Sequence, residues 1–123
     1  MLIIGGIFGV LTALGHFIVG NKSYLQPMML ASFDQVSKNT IYCGYHYVSV
    51  FLVLSSAALL LAGTNSHFME EAEYLIKFIA LNYLGFAIWQ IVLSVLARNR
   101  TGIFKPIQWV FFMGIALLSW FGS

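Results

Sequence analysis

The chain reads as an all-α, polytopic membrane protein, a bundle of four transmembrane helices. Three observations predict this. Of its 123 residues, 60% are hydrophobic and only 8% are charged, whereas a soluble domain carries about 25% charged residues to wet its surface. The mean hydropathy is +0.88. Four apolar stretches approach the roughly 20 residues that a helix needs to cross a bilayer. Length allows one integral membrane domain over residues 1–123, with no room for a second, soluble one. The composition excludes an ordinary soluble enzyme, a disordered chain and a nucleic-acid-binding domain. A single Cys excludes a disulfide framework and a Cys-based zinc site.

The first span covers about 2–19. It lacks a basic leading segment and a small-x-small cleavage site, so it is expected to be retained as a helix. Gly5, Gly9 and Ala13 form a small-xxx-small stripe that lets another helix approach closely, either within the chain or in a second copy. Residues 20–39 are expected to connect, with Pro27 starting a short turn that carries Met28, Met29 and Leu30 at the interface. The second span covers about 40–62. Its run Leu52 to Leu61 is continuously apolar, which fits a helix and not the alternation of a membrane β-strand. Residues 63–73 are polar and acidic, and Ser66 is expected to cap the helix that follows. The third span covers about 74–97, with Glu73 and Lys77 placed for an i,i+4 ion pair. A tight basic turn, Arg98-Asn99-Arg100-Thr101-Gly102, leads to the fourth span at about 103–122.

Orientation follows from the basic residues. Lys22, Lys38, Arg98, Arg100 and Lys105 belong to connections that must share one side, and the connection between spans two and three has no Lys or Arg. The positive-inside rule places the basic side in the cytoplasm and both termini outside. The sequons at Asn21 and Asn99 then lie on the cytoplasmic side and are expected to stay unmodified.

Depth supplies the functional expectation. His16, His46, Gln90 and Gln108 lie on four different spans, all roughly 6–10 Å below the cytoplasmic interface at about 1.5 Å rise per residue. Polar side chains in lipid are costly and face the bundle interior or a cavity. These four, with Tyr45 and Trp89 nearby, are therefore the expected ligand-binding layer. It would bind or translocate a small molecule, ion or lipid-like ligand, in a homo-oligomer or as a subunit with other membrane chains. Four short helices cannot enclose a large pore alone, so translocation would need the oligomer. A second reading makes His16 and His46 ligands to a haem or a transition metal. A third makes the chain a purely structural subunit. No Asp or Glu lies in the middle of a span, and no P-loop, GxSxG, HExxH or CxxC is present.

Overall fold

The computed structural model describes residues 1–96 and 108–123, and all of its regular structure is helical. Helix α1 (Leu2–Gly15) runs directly into a π-helical segment (His16–Leu25) and then into α2 (Gln26–Leu30). Helix α3 spans Gln35–Thr64, α4 spans Ser66–Glu71, α5 spans Glu73–Leu96 and α6 spans Gln108–Trp120. Three of these units are long and apolar enough to cross a membrane: the 29-residue rod Leu2–Leu30, the 30-residue α3 and the 24-residue α5. Helix α6 is apolar but has only 13 described residues. The basic turn 98–102, Lys105 and the start of the fourth span lie outside the described residues.

The first rod does not end at Val19 as hydropathy suggests. It passes through Gly20-Asn21-Lys22-Ser23 without a break, and the winding changes instead. The Gln26 N–H reaches back five residues to the Asn21 carbonyl. Stretches of π-helix are rare and usually occur as single-turn bulges, often at functional sites. Helix α3 likewise begins ahead of Thr40. The Asp34 carboxylate accepts from the Ser37 backbone N–H at 3.0 Å and from the Ser37 hydroxyl, and so supplies an N-cap that hydropathy does not register. At the far end of α3, the cap of α4 is Asn65 and not Ser66. The Asn65 side-chain oxygen accepts from the N–H groups of His67 and Phe68 at 3.1 and 3.2 Å. The Lys77 ammonium pairs with Glu73 one turn away.

Helix α1 packs against α3 on one side and α6 on the other, and α5 packs against α6. The α1–α3 contact is close because its residues are small. A Cβ at Gly6 would lie 2.7 Å from the Leu60 side chain, and one at Gly9 would run into the Ser56 hydroxyl. Gly63 meets the Ile3 backbone in the same way. Gly5 faces Leu118 and Ser119 of α6, and Ala13 is buried with the core. The small-residue stripe is thus engaged within the chain. Helices α3 and α5 stand further apart and meet through larger groups. Tyr83 is fully buried, its hydroxyl is 2.8 Å from that of Ser55, and its ring packs among Phe51, Phe86 and Phe112.

Large apolar side chains cover the outside. Ile4, Ile7, Leu11, Leu14 and Ile18 of the first rod are about half exposed or more, as are Val50, Leu54 and Leu61 of α3. Small and hydroxyl-bearing residues, among them Gly9, Ser49, Ser56 and Ala62, are buried. A water-soluble protein does not expose apolar area on this scale. Membrane helices do, because lipid removes the drive to hide such side chains and leaves close packing to join the helices.

Candidate functional site

The site starts where the winding changes. The Tyr45 hydroxyl of α3 donates to the His16 carbonyl, the first in the π-helical segment. The two rings lie nearly parallel, 17° between planes and 4.1 Å between centroids. In return, His16 Nε2 approaches the Tyr45 carbonyl at 3.3 Å and the Ser49 hydroxyl at 3.1 Å. A carbonyl oxygen only accepts, so Nε2 carries the proton in the neutral ring. The Ser49 hydroxyl donates to the Tyr45 carbonyl at 3.0 Å and has lone pairs left for Nε2–H. Both of these imidazole bonds use Nε2, and Nδ1 remains as an acceptor. Gly20 completes the clamp. A Cβ there would stand 3.1 Å from the Tyr45 hydroxyl and 3.6 Å from His16 Nδ1, so the close approach depends on its having no side chain.

Beside this clamp lies a partly open cavity of about 590 Å³. His16 of the first rod and Val48 of α3 form one wall. Gly85, Phe86, Trp89 and Gln90 of α5 and Gln108 and Phe112 of α6 form the other. None of these lining residues carries a carboxylate, ammonium or guanidinium group. The space exists because α3 and α5 stand apart and because Gly85 contributes no side chain. A Cβ built at Gly85 meets nothing within 4 Å. The polar end is a pair of amides. Gln90 Nε2 donates to Gln108 Oε1 at 3.3 Å, and Gln90 Oε1 is buried without a hydrogen-bond partner among the described residues. A smaller cavity continues past the two glutamines to Tyr24, Leu93 and Ser94.

His16, Gln90, Gln108 and Trp89 therefore line one cavity. Tyr45 stands behind His16 and positions it. His46 is elsewhere: it lines a separate groove of about 280 Å³ with Phe17, Ser49 and Val53. Its ring lies edge-on to Tyr42 and Tyr45, with centroids at 4.4 and 5.5 Å. The two imidazoles thus line different spaces. Among the described residues no group of three or more His, Cys, Asp or Glu side chains is placed to hold a metal.

Gly85, Phe86 and Phe112 were not expected at the site. Gly85 had a detectable signal, being an isolated glycine among bulky residues with no small-residue stripe. The other two had none, since one more Phe in a span is ordinary. Comparison with protein-family models, curated proteins and solved structures finds no match to this chain.

Proposed function

We propose that this chain is a four-span membrane protein whose cavity binds a small molecule between the His16–Tyr45 clamp and the Gln90–Gln108 pair. Helix α6 belongs to the fourth span, whose basic flank faces the cytoplasm by the positive-inside rule. The observation that carries the reading is the cavity itself. It is concave, mostly apolar and aromatic, and has a few convergent polar groups, the general character of small-molecule sites. An unpaired amide oxygen at its polar end costs free energy that a bound hydrogen-bond donor offsets. Translocation would require a second copy, and flux into proteoliposomes is the measurement that would establish it.

Gly85→Phe tests the binding reading. Gly85 lines the cavity and a Cβ there meets no atom within 4 Å, so a ring at this position is expected to occupy cavity space. Native mass spectrometry of gently extracted wild-type protein should show a discrete small-molecule adduct that the Gly85→Phe protein lacks. Equal adducts on two equally folded proteins would refute the site.

A further inference from the structure

We infer that the cavity receives an uncharged amphiphile resident in the bilayer, whose head both donates and accepts a hydrogen bond at the Gln90–Gln108 pair, a hydroxyl being the smallest such head. This rests on the binding reading above and adds the ligand's chemical class. The first argument concerns the amides. Amide O and N differ only in their hydrogen bonds, and here either orientation leads to the same result. With Gln90 donating to Gln108, the groups left over are Gln90 Oε1 and the Gln108 NH₂. With both amides flipped, they are the Gln90 NH₂ and Gln108 Oε1. Either way the pair leaves an acceptor on one amide and a donor on the other, and a head that both donates and accepts, such as a hydroxyl, matches both kinds of group. An ether or a ketone can only accept, and would leave the amide oxygen unpaired.

The second argument is charge. A phosphate, carboxylate or ammonium buried here would meet no opposite charge among the described lining residues, and an unpaired ion in an apolar site is strongly disfavoured. The third is the body of the ligand. Phe86, Trp89 and Phe112 supply flat apolar walls, and Trp89 is 63% exposed at the rim. Gly85 is exposed too, so the opening faces the side of the bundle where acyl chains lie. A molecule entering from there brings an apolar body with it, which a small water-soluble alcohol lacks.

The test uses full-length protein in phosphatidylcholine vesicles and three photoactivatable diazirine probes: hexadecanol, its methyl ether and its phosphate monoester. Labelled peptides are located by mass spectrometry. Hexadecanol should label the α5 segment around Phe86–Gln90, with the ether and the phosphate each down about tenfold or more. Gln90→Leu and, independently, Gln108→Leu should reduce the alcohol to the level of the ether. Excess unlabelled hexadecanol should compete, and excess propanol in the aqueous phase should not. Equal labelling by alcohol and ether, or no effect of either Leu variant in folded protein, overturns the ligand class while leaving the cavity standing. Competition by propanol at matched concentration overturns the membrane source. If Gly85→Phe labels like wild type with every probe, the binding reading itself fails.

Discussion

Two glycines give opposite expectations for the same substitution, and the contrast tests the packing directly. In helix interiors, Gly→Ala stabilises by about 0.5–1 kcal/mol through backbone entropy. At Gly85 nothing lies within 4 Å of the added methyl, so Gly85→Ala should gain that amount. At Gly9 the methyl would overlap the Ser56 hydroxyl and sit 3.1 Å from Ser56 Cβ and 3.4 Å from its Cα. The hydroxyl has little freedom to move, because it donates to the Leu52 carbonyl at 2.6 Å. Overpacking of this kind costs about 1–3 kcal/mol. Set against the entropic gain, Gly9→Ala should destabilise by up to about 2.5 kcal/mol. Thermal unfolding in one detergent, scored by retained folded fraction, compares both variants with wild type. The double variant Gly9→Ala with Ser56→Ala should recover part of the loss, since the nearest atom is gone but Ser56 Cβ is not. If Gly9→Ala raises the unfolding temperature as much as Gly85→Ala does, the close α1–α3 approach is wrong.

Other expectations follow from the clamp and the caps. Tyr45→Phe keeps the ring stack but removes the donor to the His16 carbonyl, so stability should fall by about 0.5–1.5 kcal/mol. Amide exchange should quicken selectively over residues 16–25, and unchanged protection there would refute the coupling between Tyr45 and the π-helical winding. The Ser37 hydroxyl and N–H hold the Asp34 carboxyl below the ordinary carboxylate value of about 3.9. A depressed folded value means that the cap contributes fully above the ordinary value and is lost as pH falls through the lower, folded one. The first turn of α3 should therefore fray in acid, read as faster exchange at Ser37. Asp34→Ala should show that fraying at neutral pH, and Asp34→Asn should largely prevent it. Removing the cap of α4 by Asn65→Ala should loosen residues 66–71 at a cost of about 0.5–2 kcal/mol without affecting probe labelling at the cavity.

Hydropathy alone determined that the chain is helical and built for lipid, because a backbone without water partners must bond to itself. Rise per residue puts His16, Gln90 and Gln108 near one level along their spans, and the three line one cavity. The rotation of each helix about its axis was left open, and His46 shows the consequence: it opens onto its own groove beside Phe17, away from that cavity. Rotation is set by which small residues let the neighbouring helix approach, at Gly6 and Gly9 toward α3 and at Gly5 toward α6, and that is a property of pairs of helices. The π-helical winding at His16 is tertiary for the same reason, since the group on its first carbonyl is a hydroxyl 29 residues away in sequence. The cavity follows from both. It lies where Gly85 leaves space between helices held apart by Tyr83 and Phe86, and no single span records such a gap.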